Sequence, residues 1–515
     1  MINIKNVITG LFSQWVLVLY NMIVSFFLSP FIVNTLGNLY FGLWVTLIQF
    51  TSYMYLLDFG LRNTVVHRTA QAVGGKRATT LSHIINAAMK LSTIIALVTF
   101  FIAVILSYLV PPLLGLDAVA EADAGRVILI SGLTISIAIW NNPNEGVVRG
   151  FGLFFLANVF GFFTLTIRTI LTVVLLMNGY KIVALAFAQL VVSIIHAFFI
   201  MWVARTHLKK RGFKKSRFRL SRLRFIALTK SVWNYSWSIL VDNFSQKLIF
   251  TSDTIIISMI LTVPLVTFYA IANQLVEYLR RMIDSSMQLV LPLASEITGS
   301  QNDGDLKTVL VQSTRFTAWF SMPILTMYLV MGETFVGLWM GPEYAQPVKE
   351  ILVILVITQM FALQHYGITM ILRSLEKHTI IAPLRITEAV VNISLSIILA
   401  KQIGLIGVAL GTAISHTLVT SIILPYIVTK ELKMKYLDFI LPSYFKTVIA
   451  CVVIAGAGSW VNTNWLPDSM LMFFINISYI IFLYLIISYF FILNGIERSR
   501  LKAKLISRFP SALSK

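Results

Sequence analysis

The sequence predicts an all-α polytopic membrane protein of about 14 transmembrane helices: two pseudo-symmetric lobes of about six helices each, plus two C-terminal helices. Three observations predict this class. Of the 515 residues, 57% are hydrophobic and 12% are charged, with a mean hydropathy of +0.84, whereas a soluble domain carries about 25% charged residues. Hydrophobic runs of about 20 residues, each long enough to cross a bilayer, follow one another along the chain. The third observation is an internal repeat.

The repeat has an offset of about 225 residues. Gly-Tyr-Lys-Ile-Val-Ala-Leu-Ala-Phe-Ala at 179–188 returns as Gly-Leu-Ile-Gly-Val-Ala-Leu-Gly-Thr-Ala at 404–413, with five of ten positions identical. Two further pairs keep nearly the same offset: Asp58 with Asp284, and Arg149 with Arg373. Many transporters are duplicated bundles with the substrate site between the repeats, so the repeat indicates a transporter.

The hydrophobic runs divide the chain in order. We place them at 8–33, 39–61, 91–110, 127–142, 150–178, 182–204, 232–260, 265–291, 316–340, 351–372, 380–400, 403–428, 445–461 and 470–492. Spans one to six form the predicted N-terminal lobe, 1–204, and spans seven to twelve the predicted C-terminal lobe, 231–428. Spans thirteen and fourteen and a basic tail occupy 429–515. Because six is an even number, both lobes have the same predicted orientation.

The basic residues predict the topology. The net charge is +20, which in a soluble chain would suggest nucleic-acid binding. With the N-terminus in the cytoplasm, however, 33 of the 41 Lys and Arg residues lie on the cytoplasmic side and only 4 lie outside. This bias predicts a bacterial inner-membrane protein with both termini cytoplasmic, and no nucleic-acid partner.

The predicted linker between the lobes, 205–230, carries eleven basic residues and no acidic one. It would lie on anionic lipid headgroups and set the topology. An alternative is that it captures an anionic lipid substrate.

Enzyme motifs are missing from the sequence. It contains no P-loop, no G-x-S-x-G, no H-E-x-x-H and no C-x-x-C. The single cysteine, Cys451, excludes an intrachain disulfide. The predicted outer loops are short, so we expect no extramembrane catalytic domain, no cofactor and no metal. A lone His within a span, such as His196 or His416, more often makes a helix–helix hydrogen bond than binds a ligand.

Charges inside the spans are the strongest functional signal, because they are costly in a bilayer and usually face the bundle interior. Span eight places polar residues on one helical stripe: Asn273, Glu277, Arg280, Arg281, Asp284 and Gln288. Glu277 with Arg281 and Arg280 with Asp284 have opposite charges at i,i+4 spacing. The stripe therefore predicts either mutual neutralisation or substrate contact.

Two further cations lack an acidic neighbour at pairing distance in their own helix: Arg168 in span five and Lys247 in span seven. Each requires an acid on another helix, water or an anionic substrate, and Arg is suited to bidentate phosphate contact. Asp58 and Arg62, at the inner end of span two, have the spacing of an ion pair. Polar, partly cationic stripes in both lobes would suit an amphiphile with an anionic, sugar-like head.

Residues 27–71 carry a family resemblance. The chain reads Phe-Leu-Ser-Pro-Phe-Ile-Val-Asn-Thr-Leu-Gly-Asn-Leu-Tyr-Phe-Gly-Leu-Trp at 27–44, then Leu-Leu-Asp-Phe-Gly-Leu-Arg-Asn at 56–63 and Arg-Thr-Ala-Gln at 68–71. This resembles the opening of the Wzx-type flippases of undecaprenyl-diphosphate-linked oligosaccharides, in the multidrug/oligosaccharidyl-lipid/polysaccharide exporter superfamily. The residue-by-residue resemblance is specific only within 27–71, whereas the pattern of membrane spans resembles the family over essentially the whole chain.

The resemblance implies a V-shaped bundle that moves a lipid-linked glycan, such as an O-antigen unit, to the outer leaflet by alternating access. It implies basic cavity residues that hold the diphosphate and anionic sugars, and no catalytic residue. The candidate cavity cations are Arg62, Arg168, Lys247, Arg280 and Arg281. Family members often couple transport to proton or sodium gradients; the candidate coupling residues are Asp58, Asp253, Glu277, Asp284 and Glu388. A polysaccharide polymerase and a chain-length protein are the implied protein partners.

Three alternatives stay open. A multidrug and toxin extruder would have the same general fold, but it usually has about twelve spans and binds cationic cargo through acids. A polymerase or ligase has similar hydropathy but needs a large outer loop. A flippase for a lipid precursor or a teichoic-type polymer is a close variant of the leading hypothesis.

Overall fold

The computed structural model describes residues 4–75, 78–210, 244–287, 290–299, 303–495 and 497–499. Several predicted features lie outside these ranges: most of the basic linker, the start of span seven, Gln288 and the basic tail beyond Ser499.

Nearly all of the described chain is helical, which confirms the all-α class. The long N-terminal helices are α1 Ile4–Ser52, α2 Leu61–Gly75, α3 Ala78–Leu109, α4 Ala118–Gly150, α5 Phe154–Met177, α6 Lys181–Lys210 and α7 244–260. The following helices are α8 Leu265–Met287, α9 Val290–Gly299, α10 Asp303–Met340, α11 Pro342–Ala362, α12 Tyr366–Ser374, α13 His378–Ile403 and α14 Leu405–His416. The last are α15 Leu424–Glu431, α16 Tyr436–Asn464 and α17 Met470–Ile487.

Short tight or wide helical turns join several of these helices. The 3₁₀ segments are Tyr53–Asp58, Pro111–Leu114 and Leu363–His365, and the π-helical segments are Thr417–Ile423 and Ser488–Ile492. Leu363–His365 joins α11 to α12, Thr417–Ile423 joins α14 to α15, and Ser488–Ile492 extends α17. Each of these three nearly continuous helical segments matches one predicted span.

Helix α1 contains a kink that separates the first two predicted spans. Gly37 has φ 73° and ψ 171°, a conformation that side chains with a Cβ rarely adopt. The hydroxyl of Thr267 donates to the carbonyl oxygen of Asn38, at 2.8 Å, just beyond the kink. The Leu-Gly of the recognised sequence motif therefore has a conformational role.

Span four differs from its prediction. The hydrophobic run at 127–142 is the centre of a longer helix, α4, which begins at Ala118 and continues through Pro143 to Gly150. Asp117 caps its start, because its carboxylate accepts from the Ala120 N–H at 2.7 Å. The polar residues after 142, which hydropathy placed in a loop, are therefore helical.

The structure does not confirm the count of fourteen spans. Among the described residues, eleven helical segments are long and apolar enough to cross a membrane, and the first, Ser13–Ala72, contains two predicted spans. Helix α8 carries the charged stripe of span eight and is not among the eleven.

The chain divides into two compact units. The N-terminal unit comprises Met1–Ala270 and Ser396–Val408, and the C-terminal unit comprises Ile271–Leu395 and Ala409–Lys515. The predicted lobe boundaries at 204 and 231 stay a prediction. In the C-terminal unit, α16 and α17 pack on α10 around a core that includes Met331, Ile454 and Phe473.

The repeat landmarks occupy equivalent local positions. Gly179 lies between α5 and α6 with φ +84°, and Gly404 lies between α13 and α14 with φ +65°. Arg149 and Arg373 each lie in the last turn of a helix.

Candidate functional site

The N-terminal unit contains a polar cavity of about 510 Å³. Its walls come from the 3₁₀ turn Tyr53–Asp58 and from helices α2, α4, α5 and α6. The polar side chains on which its chemistry depends are Arg62, Asn63, Glu145, Arg168, Gln189 and His196. A volume of this size suits a small polar ligand or one or two sugar units.

Helical periodicity turns the lining side chains of α4 and α6 toward the cavity. On α4, Thr134, Ala138, Asn141 and Glu145 follow one another at intervals of three or four residues. On α6, Gln189, Ser193 and His196 follow one another at intervals of four and three residues, with Val192 beside Ser193. The Ser193 hydroxyl donates to the Thr134 carbonyl at 3.4 Å and links the two faces.

Small residues bring α4 against α2. A Cβ at Gly146 would lie 2.7 Å from the Val65 Cβ, and one at Gly150 would lie 2.5 Å from the Thr69 Cβ. The sequence Gly-Val-Val-Arg-Gly at 146–150 is thus a G-x-x-x-G contact of the kind that lets membrane helices approach closely. This approach brings Glu145 of α4 within reach of Arg62 of α2.

Glu145 is shared by three basic groups. Its Oε2 lies 3.3 Å from Arg62 Nη1 and 3.8 Å from Arg149 Nε, and its Oε1 lies 3.1 Å from His196 Nε2. The Glu145 side chain is 15% exposed, whereas that of Arg62 is 45% exposed. One carboxylate is therefore fixed by α2, α4 and α6 together, and Arg62 is its most accessible partner.

Arg168 of α5 faces the same cavity, and none of the described residues is its hydrogen-bond or ion-pair partner. Within the described ranges, the side chains of Arg168, Asn63 and Gln189 make no hydrogen bond or ion pair. A half-buried guanidinium without an acid is costly in a membrane span. These three side chains offer free donors and acceptors to a ligand.

Asp58 also lines the cavity, and it accepts a hydrogen bond from Asn142 Nδ2 at 2.7 Å. The Arg62 guanidinium extends to Glu145, while the Arg62 backbone N–H donates to the Asp58 carboxylate and the two charges lie within electrostatic range. The structure thus brings three predicted site residues together: Asp58, Arg62 and Arg168.

Lys247 and Asp253 lie on α7 and are not among the residues that line this cavity. The Lys247 ammonium is 5.8 Å from the centroid of the Tyr53 ring, within the range of a cation–π contact. Asp253 is 2% exposed and accepts a hydrogen bond from the Tyr269 hydroxyl.

The charged stripe of α8 lies in the C-terminal unit. Glu277 binds both neighbouring arginines: Arg281 Nε lies 2.9 Å from its Oε1, and Arg280 Nη2 contacts its Oε2. The predicted Glu277–Arg281 pair is present, and the Arg280–Asp284 pair stays a prediction. Tyr366 of α12 lies within electrostatic range of Arg280 and Asp284.

Glu388 of α13 is at the centre of a second cluster. Its Oε2 lies 2.7 Å from Arg385 Nη1, and its Oε1 lies 2.6 Å from His416 Nδ1 of α14. The Glu388 side chain is 0% exposed and that of His416 is 2% exposed. His196 and His416 both therefore make the helix–helix contacts predicted for a lone histidine.

Glu145, Asn63 and Gln189 were missed by the sequence reasoning. Glu145 was assigned to a loop because the hydrophobic run ends at 142, although Thr134, Asn141 and Glu145 share a helical face. Gln189 and His196 share the corresponding signal on α6. Within the described residues, no group of three or more His, Cys, Asp and Glu side chains could hold a metal ion.

Comparison with known proteins identifies the family. Residues 35–349, well over half of the chain, match the model of a family described as polysaccharide biosynthesis protein. The chain belongs to this family. The membership predicted from residues 27–71 is thus confirmed. No curated protein sequence matches this family member.

Solved structures show which fold this polysaccharide biosynthesis protein shares. A lipid II flippase, MurJ, in an inward closed conformation, is 16% identical, with a TM-score of 0.70 over 98% of this chain and 100% of that chain. An inward-facing multidrug resistance MATE family transporter of the MOP superfamily is also 16% identical, with a TM-score of 0.61 over 81% and 94%. The eukaryotic MATE transporter AtDTX14 is 16% identical as well, with a TM-score of 0.57 over 86% and 97%. The fold is that of these transporters.

Proposed function

We propose that this protein translocates an undecaprenyl-diphosphate-linked oligosaccharide from the cytoplasmic to the outer leaflet, by alternating access, during synthesis of a surface polysaccharide such as an O-antigen. Family membership supports this proposal, as does Arg168, which lines a polar cavity and has no partner in the described part of the chain. The observation that carries it is the family match, because it connects the transporter fold with polysaccharide synthesis.

The physical problem of such transport is the head group. A diphosphate and its sugars would lose their hydration in the hydrocarbon core, at a cost far above that of burying an apolar group. Polar side chains and cations along the route replace that hydration. Arg168 would hold a phosphate or an acidic sugar through two N–H donors, while Asn63 and Gln189 would bind sugar hydroxyls.

Other predicted residues have supporting roles in this proposal. Lys247 would contribute a second, more mobile cation beside Tyr53. Arg280 and Arg281 would attract the substrate through the positive charge that their shared partner, Glu277, does not neutralise. Asp58, Asp253, Glu277, Asp284 and Glu388 stay candidates for coupling to an ion gradient. The reaction breaks no covalent bond, so the protein needs no catalytic residue.

The cellular setting forms part of the proposal. The protein would lie in the bacterial inner membrane with both termini in the cytoplasm, where the basic linker contacts anionic lipids. It would supply substrate to a polysaccharide polymerase and its chain-length partner on the outer side.

A MATE-type exporter is the second candidate, because two multidrug transporters share the fold. Such a protein would need acids facing its cargo. In the cavity of the N-terminal unit, Glu145 is already bound by three basic groups, whereas Arg168 has no acidic partner among the residues that the structure describes, which favours an anionic cargo.

Deletion of the gene tests the proposed function. We expect a single lipid-linked glycan to accumulate, accessible only from the cytoplasmic leaflet, together with loss of surface glycan. Restoration by the wild-type gene is the control. Normal surface glycan and no accumulated intermediate in the deletion strain would contradict the proposal.

A further inference from the structure

Each unit contains a glutamate held by an arginine and a histidine from another helix. In the N-terminal unit the three are Glu145, Arg62 and His196; in the C-terminal unit they are Glu388, Arg385 and His416. The chemistry is the same, but the surroundings differ. The Glu388 cluster is closed off, whereas the Glu145 cluster lines the cavity.

The charges around Glu145 come from every wall of the cavity. The 3₁₀ turn supplies Asp58, α2 supplies Arg62, α4 supplies Arg149 beside Glu145, α5 supplies Arg168, and α6 supplies His196. Among the described residues, no other ionisable side chain except that of Tyr55 lines the cavity. Of these groups, a histidine is the type whose charge ordinarily changes between about pH 5 and pH 8.

Protonation of His196 would weaken the dependence of Glu145 on Arg62. A neutral imidazole gives Glu145 one hydrogen bond, so the carboxylate depends on Arg62 and Arg149 for opposite charge. An imidazolium at 3.1 Å would supply a full positive charge to Oε1. Arg62, which is the most exposed of the partners, would then be available to an anion in the cavity, together with Arg168.

We propose that Glu145 and His196 form a proton-binding pair whose occupancy is linked to the binding of an anionic group, a carboxylate or a phosphate, at Arg62 and Arg168. Linkage is reciprocal, so an anion that binds better to the protonated pair also promotes proton uptake. The inference rests on the proposed function only for the identity of the natural anion. The binding of the proton and the anion is a property of the cavity itself.

Isothermal titration of the purified full-length protein with glucuronate and with sulfate tests this linkage. Both probes keep their charge between about pH 6 and about pH 8, the interval in which histidine titrates. We expect at least one of them to bind about tenfold more tightly at the lower pH, because couplings of this kind typically lie between about 5-fold and 150-fold. Buffers of different ionisation enthalpy should report proton uptake on binding.

Three variants test whether Glu145 and His196 cause the pH dependence of anion affinity. His196→Gln and Glu145→Gln should each remove the pH dependence of anion affinity. His67→Gln is the matched control and should keep it, because His67 is exposed, does not line the cavity, and forms a hydrogen bond with Gln71. A thermal melt of each variant at both pH values confirms that the protein titrated is folded.

Two results would overturn the inference. One is that neither anion binds the wild-type protein. The other is that anion affinity varies with pH in the His196→Gln protein as it does in the wild type. Failure of the proposed function has a different signature, since the gene deletion would then leave surface glycan unchanged while anion binding by the purified protein persists.

Discussion

At the scale of single residues, Arg168 is the side chain that most requires an explanation from outside the protein. It lies partway along a membrane-spanning helix, lines a polar cavity, and has no acidic or hydrogen-bonding partner among the described residues. Arg62 lines the same cavity but is bound to Glu145. A cation retained without an internal partner is explained most directly by an anionic ligand.

Replacement of Arg168 by alanine should therefore reduce surface glycan while leaving the protein in the membrane. A hydrogen bond to a charged group contributes about 1.5–3 kcal/mol, which corresponds to about a 10- to 150-fold loss of transport. Arg168→Lys should be intermediate, because lysine keeps the charge but loses the bidentate geometry. Surface glycan and membrane protein level are measured together.

Lys401→Ala is the control, because Lys401 is also basic but exposed at the end of α13. It should have no effect on surface glycan. Normal glycan with Arg168→Ala would remove Arg168 from the substrate path.

Sequence reasoning identified Arg168 because a charge inside a hydrophobic run is visible without any knowledge of neighbours. It could not identify Glu145, whose role comes from three partners on α2, α4 and α6. It also paired Arg62 with Asp58, because spacing along one segment shows only local partners. The closer acid comes from a different helix, and only packing reveals it.

At the scale of helices, the approach of α4 to α2 positions the cavity. Gly146→Leu should destabilise the protein, because the added side chain would enter space occupied by Val65. Overpacking of this kind costs about 1–3 kcal/mol. We expect a lower melting temperature in detergent and less protein in the membrane.

Gly456→Leu is the matched control for that change. Gly456 is also within a helix, α16, but a Cβ there would meet nothing within 4 Å. An equal loss of stability in both variants would show that leucine at a helical glycine is harmful in itself and that the α2–α4 contact is not special.

The α13–α14 contact leads to a different expectation for Glu388. Because its carboxylate is fully buried between Arg385 and His416, Glu388→Gln leaves a buried guanidinium without its acid. Breaking a buried pair in this way costs about 3–5 kcal/mol. The variant should therefore melt at a lower temperature than the wild type.

Transport per folded Glu388→Gln molecule should stay close to that of the wild type. Normal stability with lost transport would instead assign Glu388 to ion coupling, as the sequence suggested.

Helix boundaries were less predictable than helix existence. Hydropathy located the apolar centre of α4 but not its polar ends, because Asn144, Glu145 and Arg149 lower the local hydropathy while the helix continues to Gly150. The sequence predicts a break between the first two spans, and the structure contains one: Gly37, with φ 73° and ψ 171°, interrupts the helical backbone of α1.

At the scale of the whole molecule, the two halves repeat their structural landmarks but not their polar side chains. Gly179 and Gly404 occupy the same kind of turn, but Arg168 corresponds by offset to the apolar Ile393. The clusters around Glu145 and Glu388 resemble each other in composition and differ in access to a cavity. The two halves therefore share landmarks of the repeat but carry different polar groups.

The orientation of the whole chain is also testable. With both termini cytoplasmic, a phosphatase reporter fused after Lys515 should be inactive and a fluorescent reporter should be bright. Fusion after Tyr180, at the start of α6, should give the opposite pattern. An active phosphatase at Lys515 would contradict the even number of spans.

The central claim is that this protein moves a lipid-linked glycan across a bilayer. It is tested most directly by reconstituting the purified protein into liposomes that contain the lipid-linked glycan isolated from the deletion strain. A glycosidase added outside reports how much glycan reaches the outer leaflet. The account predicts that wild-type protein renders nearly all of the glycan accessible, whereas Arg168→Ala protein does so about 10- to 150-fold more slowly. Equal accessibility in liposomes with and without the wild-type protein would contradict it.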